Sequence, residues 1–223
     1  MSGIKQIVCI SQQYWDDAWF RKQHFMYQFW QKGYKIAYIE PSFSMVRRPD
    51  KDKEQYQKNR LFGVMTEERE KNLFIIKPPK AIPFWTQPIM SKINYRYLSF
   101  LLVNELRRLG FSDYVLWNYK PEYAHALGVF KYRKLFFDIT DDLAAFKKES
   151  PGKSSYVQDC MDFLVSHSDL VIVTAATLYD KFKDSSRQIV LIPNGFDAQN
   201  FSVRNIELPG DLKNVPSPRI GFI

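Results

Sequence analysis

The segment FDITDDLAAF, Phe137 to Phe146, places three carboxylates, Asp138, Asp141 and Asp142, close together after an apolar run. Two roles fit them. One aspartate ahead of LAAFKK would cap a helix, a contribution of about 1 kcal/mol. A cap uses one acid, however, and three are present. Adjacent carboxylates in a cleft repel, so one holds its proton to higher pH. Such a group suits a general base that takes a proton from a hydroxyl. Asp138, still inside the apolar run, would orient a partner. A second cluster comprises Asp16, Asp17, Arg21 and His24. Arg21 and His24 lie three apart and share a helix face. They are candidates to face a ligand; the alternative is a cap at Asp16 or Asp17 beside a surface arginine and a satisfied histidine. A third motif, Pro193-Asn194-Gly195-Phe196-Asp197, follows another apolar run. Asn-Gly signals a turn, and Asp197 can begin a helical one.

The elements that would position these residues alternate in type. Short apolar runs read as strands at Gln6–Ser11, Lys35–Glu40, Leu61–Thr66, Leu73–Lys77, Asp113–Trp117, Leu135–Ile139, Asp169–Thr174 and Gln188–Ile192. Helices are expected at Phe20–Lys32, stopped by Gly33, and at Gln87–Leu109, stopped by Gly110. Others are expected from Pro121 to Phe130, over Tyr156–Ser166 and over Ala175–Phe182. The polar stretch around RRPDKDKE reads as an excursion. Continuous apolar strands separated by helices are buried on both faces. They predict an α/β, Rossmann-like, doubly wound and mostly parallel sheet with helices on both faces. Ligands of such sheets bind outside the carboxyl ends of the strands. That rule selects Ser11–Trp19, Glu40–Ser44, Asn118-Tyr119, Asp138–Asp142, Thr174-Ala175 and Pro193–Asp197 for inspection.

Composition narrows the chemistry. The chain of 223 residues is 45% hydrophobic and 25% charged, a globular balance. Its two cysteines, Cys9 and Cys160, show no metal or disulfide spacing, which fits a reducing cytosol and predicts no metal site. No glycine lies between Gly3 and Gly33, so the G-x-G-x-x-G turn of a dinucleotide site is absent after the first strand. No P-loop and no G-x-S-x-G elbow occur. No cofactor is expected. The apolar start, Ile7–Ile10, is too short for a signal-peptide core, and no run approaches a spanning helix. The net charge of +8 is concentrated: Pro41 to Gly110 carries 14 Lys/Arg against 7 Asp/Glu, interleaved with aromatics. That mixture suits an anionic partner such as a lipid surface, a phosphorylated substrate or nucleic acid, or else forms a solvated face. A non-enzymatic anion-binding module, for nucleic acid or a membrane surface, is the competing reading; no nucleic-acid motif is present to favour it.

Several of these segments together resemble one family. PNGFDAQNF is similar to the P-N-G-x-D-x-x-x-F segment of GT-B glycosyltransferases of the family-4 kind. WFRKQHFMYQFWQKGYKIAYIEP, FDITDDLAAF and SDLVIVTAATLYDKFK resemble segments of a bacterial subgroup that makes teichuronic acid and other envelope polysaccharides. PRIGFI resembles the first strand of the C-terminal domain. The resemblance implies an acceptor-binding domain at 1–202, a linker at 203–218 and the start of a donor domain at 219–223, so that this chain alone would not transfer sugar. It implies a nucleotide-sugar donor held mainly by that second domain. It also implies a lipid-linked saccharide acceptor and a cytoplasmic enzyme peripheral on the inner membrane face. The chain is also distantly similar to an inverting glucuronosyltransferase in which an aspartate at a comparable strand end is the proposed base. Asp141 is the matching position. Asp16, Asp17, Arg21, His24, Asn118, Asp138 and Asp142 would then bind acceptor, while Asn194, Gly195 and Asp197 would line the interdomain cleft. Trp85, Lys92, Arg96, Arg107 and Arg108 would meet the membrane or another anion.

Overall fold

A computed structural model describes residues 3–42, 62–82, 87–142, 151–195, 210–213, 215–216 and 218–219, with backbone alone at 151–154. The chain divides into two units, Met1–Pro193 and Asn194–Ile223.

Among the described residues the first unit is built on one eight-stranded sheet: β1 (Gln6–Ile10), β2 (Lys35–Ile39), β3 (Met65–Glu70), β4 (Leu73–Lys77), β5 (Val115–Asn118), β6 (Lys134–Ile139), β7 (Leu170–Val173) and β8 (Ile189–Leu191). Their order is β3-β4-β2-β1-β5-β6-β7-β8. Every pairing is parallel except β3 with β4. Helices α1 (Arg21–Gln31), α2 (Pro88–Arg108), α3 (Pro151–His167) and α4 (Ala176–Phe182) and a 3-10 segment (Pro121–Val129) connect the strands. The doubly wound, mostly parallel architecture expected from the alternating runs is the one observed.

Strand alternation sorts the core into two layers. On one face Ile7, Cys9, Ile36, Tyr38, Val115, Trp117, Phe136 and Ile172 pack with Met26 of α1. On the other, Val8, Ile10, Ala37, Leu116, Leu135 and Phe137 meet Leu98 and Leu102 of α2, Tyr123 and Leu127 of the 3-10 segment, Leu164 of α3 and Leu178 of α4. Both cysteines are buried thiols. Gly33 (φ +83°) and Gly110 (φ +74°) end α1 and α2 in the left-handed region, where a Cβ would be strained.

Three expectations need correction. The strand read at Leu61–Thr66 lies at Met65–Glu70, over MTEERE. As an edge strand paired on one side only, it is largely exposed and needs no apolar run. It turns back into β4 through Lys71-Asn72, with Asn72 at φ 69°. The segment after Pro121 is wound as a 3-10 helix. Its buried residues recur every three, at Pro121, Ala124 and Leu127 and at Tyr123 and Ala126, the period of that helix. The first helix begins at Arg21 with Phe20 at its N-cap, and neither Asp16 nor Asp17 caps it. The RRPDKDKE stretch, the LAAFKK segment and residues 220–223 of the PRIGFI strand lie outside the described residues.

The two sides of α2 should respond differently to truncation. Leu98 is fully buried and Phe100 is exposed. Leu98→Ala is expected to cost about 2–5 kcal/mol in urea denaturation, and Phe100→Ala less than about 0.5 kcal/mol.

Candidate functional site

Strand order reverses between β1 and β5: β2 lies beyond one, β6 beyond the other. A crevice opens outside the strand ends at such a point. At this point stand the loop after β1, the loop after β5, the end of β6 and the first turn of α1.

Arg21, the first residue of α1, reaches across to β6. Its Nε lies 3.2 Å from each carboxylate oxygen of Asp138. Both side chains are buried, 5% and 0% exposed. Arg21 Nη1 donates to the Ile192 carbonyl at 2.8 Å and to that of Pro193 at 3.3 Å. The guanidinium also stacks 4.4 Å over the Phe25 ring. Its Nη2 has no hydrogen-bond partner among the described residues. The Trp117 indole donates to Asp138 Oδ2 at 3.2 Å. The Tyr119 hydroxyl stands beside the same carboxyl without closing a hydrogen bond of regular geometry. Burial pushes the Asp138 carboxyl up; the Arg21 charge and the donors pull it back but do not cancel the burial.

Lys22 follows and is also buried. Its Nζ is 3.4 Å from Gln13 Oε1 and 5.1 Å over the Tyr119 ring. Burial lowers its pKa, against the pull of Asp138 and Asp141. No acid occupies the first turn of α1, so two cations stand at the positive end of its dipole. The loop after β1 is held by polar bonds: Ser11 Oγ with Tyr38 Oη at 2.6 Å, Tyr38 Oη donating to the Gln13 carbonyl at 3.0 Å, and Gln12 Nε2 donating to the Tyr119 carbonyl at 2.6 Å. The Trp15 N–H donates to Glu40 Oε1 at 2.9 Å. Burial raises the Glu40 carboxyl despite that bond.

The structure therefore joins Arg21 and Asp138, one residue from each of two sequence clusters. Asp141 is exposed just beyond β6, where its Oδ2 accepts from Thr140 Oγ1 at 2.9 Å. Asp142 pairs with Lys181 at 2.7 Å. Asn118 is buried and bonds the Lys120 backbone in both directions, at 3.1 and 3.0 Å, which closes its own loop. Asp16 pairs with Arg69 at 2.6 Å, and Asp17 is partly exposed in the same loop. His24 does not join Arg21; it packs edge-on against Trp19 at 5.4 Å. Asn194 and Gly195 are exposed in the second unit, and Asp197 and Trp85 lie outside the described residues. Lys92 and Arg96 are exposed on α2. Arg107 and Arg108 sit about 20 Å further along it at 1.5 Å per residue. There Arg107 donates to Asn104 and Arg108 to Glu105.

Sequence reasoning missed Lys22 and Trp117 at this place, and the strand-end rule reached Tyr119 without giving it a role. One signal for Lys22 was present: an Arg-Lys pair opening a helix works against its dipole. No cluster of His, Cys, Asp and Glu among the described residues is placed to hold a metal ion.

Two substitutions probe this electrostatic arrangement. Asp138→Asn leaves a buried guanidinium without its counter-charge and is expected to cost about 3–5 kcal/mol. Replacing both partners, Arg21→Met with Asp138→Leu, should recover much of that loss in chemical denaturation. Glu40 titrates higher folded than unfolded. Its burial therefore favours the fold while the carboxyl is protonated, and stability falls as pH rises from the ordinary glutamate range through the raised value. Glu40→Gln keeps the acceptor for Trp15, should flatten that fall, and is checked by urea midpoints across the interval.

No family model matches the chain, and no curated protein matches it in sequence. Its fold recurs in solved structures. It aligns with sucrose-phosphate synthase from Thermosynechococcus elongatus over 87% of this chain and 49% of that one, with TM-score 0.60 at 12% identity. An alpha,alpha-trehalose-phosphate synthase (UDP-forming) from Burkholderia vietnamiensis aligns over 88% of this chain and 50% of its own, with TM-score 0.54 at 9% identity. The trehalose-6-phosphate synthase OtsA aligns over 93% and 53%, with TM-score 0.52 at 10% identity. The chain thus spans about half the length of these enzymes, and it has the Rossmann-like α/β fold of GT-B glycosyltransferase domains.

Proposed function

We propose that this chain is the acceptor-side domain of a glycosyltransferase that moves a sugar from a nucleotide-sugar to a saccharide acceptor. The observation that supports it best is the set of charged side chains gathered at the β1/β5 reversal. The buried Arg21–Asp138 pair stands there with buried Lys22 next to it on α1, and Asp141 is an exposed carboxylate just past the end of β6. The fold is compatible with this role. The finer identity is the family-4 kind of the envelope-polysaccharide subgroup, with a lipid-linked acceptor and a place on the inner membrane face. It rests on the sequence resemblance.

On this reading the nucleotide-sugar is held mainly by a second domain. Asp141 accepts the proton of the acceptor hydroxyl as its oxygen attacks the anomeric carbon and the nucleoside diphosphate departs. Asp138 cannot readily take that part, because Arg21 and Trp117 already engage its oxygens. It positions β6 and α1 instead. Lys22 supplies positive charge to the crevice. Asp142 is tied to Lys181 and shapes the loop.

The test uses the parent enzyme with its donor domain, nucleotide-sugars screened by thermal shift, and lipid extracts as acceptor source. Asp141→Asn is expected to lower kcat by about 10²–10⁴-fold with donor binding retained. A raised KM with kcat unchanged would overturn the base role and leave Asp141 as an acceptor contact. Absence of any stabilising nucleotide-sugar would count against the whole reading. Lys22→Met should raise the unfolding free energy by about 1 kcal/mol, since it removes a buried charge, while weakening substrate binding. Calorimetry and KM measured on the same variant check the two halves of that expectation.

A further inference from the structure

The outward face of α2 carries an exposed apolar stripe. Ile89, Ile93, Tyr97 and Phe100 are 74%, 52%, 40% and 59% exposed. At about 3.6 residues per turn they fall within an arc of about 80° and run about 17 Å along the helix. Met90 and Leu101, both partly exposed, continue the stripe on one side. Lys92 and Arg96, both exposed, border it on the other. From Pro88 to Asn104 the helix contains no aspartate or glutamate. The first acid, Glu105, pairs with Arg108 at the opposite end. The stripe is not needed for the fold, because α2 holds the sheet through a separate buried face that includes Tyr95, Leu98, Leu102 and Leu106.

We infer that this face of α2 docks on an anionic phospholipid surface, with the stripe buried at the headgroup boundary and Lys92 and Arg96 on the lipid phosphates. Charge complementarity chooses the occupant. A face with large apolar groups, cations on its border and no acid matches a negatively charged, deformable surface. No helix among the described residues is long and apolar enough to cross a membrane, so α2 lies in the surface plane. The inference deepens the membrane part of the proposed function and rests on it for the identity of the acceptor. The docking itself requires neither sugar donor nor acceptor. It also separates the basic residues that the sequence grouped together: Lys92 and Arg96 belong to the contact, and Arg107 and Arg108, about 16–24 Å away along the helix, do not.

Flotation of the full chain with phosphatidylcholine vesicles, with and without phosphatidylglycerol, tests the inference. Co-flotation is expected with the anionic vesicles and should weaken as salt is raised. The double variant Ile93→Glu/Phe100→Glu, altered only at exposed positions, should bind about tenfold more weakly or not at all. Lys92→Gln/Arg96→Gln should lose the preference for phosphatidylglycerol. Circular dichroism of each variant confirms that the fold is retained. Equal or negligible binding to both vesicle types would overturn the inference, as would unchanged binding of the glutamate variant. A solution dimer that the glutamate variant dissociates, with no vesicle binding by either form, would also overturn it by assigning the stripe to a second copy of the chain. Since no donor or acceptor is present, a negative result leaves the glycosyl-transfer reading standing. Failure of the transfer assay likewise leaves the docking result intact.

Discussion

The crevice depends on a charge pair that has been taken out of water. Desolvating a guanidinium and a carboxylate costs several kcal/mol each, and their attraction offsets this only when the geometry is good and the remaining polar atoms find partners. Here Arg21 satisfies Asp138 with one nitrogen and two backbone carbonyls with another, while Trp117 adds a second donor to the carboxylate. The pair therefore links three places distant in sequence: the first turn of α1, the end of β6 and the chain just past β8. Its contribution is geometric more than energetic. Moving any one of the three elements would expose or orphan a buried charge.

That linkage separates the acids by role. Asp138 sits on the α1 side of the sheet, where its oxygens are occupied and burial raises its pKa. Asp141, a few residues further on, has left the strand and meets solvent. Around them Lys22 is pressed toward its neutral form and Glu40 toward its protonated form, both by burial. A set of ionisable groups held away from their comfortable charge states around one opening is the pattern expected of a binding or reacting site.

Much of this was legible in the chain of letters. The strands at β1, β2, β4, β6 and β7 announced themselves as apolar runs because both faces of each are covered. The strand-end rule then pointed to Glu40, Asn118, Asp138 and Asp141. What failed was local. MTEERE carries no hydrophobic signal, because an edge strand paired on one side answers to hydrogen bonding more than to burial. Arg21 and His24 were grouped by helical spacing, yet the first turns toward the sheet and the second toward Trp19. Spacing fixes angular position on a helix but not which neighbour wins a long side chain. The contact between Arg21 and Asp138 spans 117 positions, and no local pattern encodes that separation.

The edges of the sheet carry a further consequence. β8 is only three residues long, and β3 presents Glu67, Glu68, Arg69 and Glu70 along the opposite border. Two copies meeting β3 to β3 would have to bring rows of glutamates together before their backbones could pair. The same charges that hid this strand from a hydrophobicity reading thus oppose the edge-to-edge pairing of two such borders.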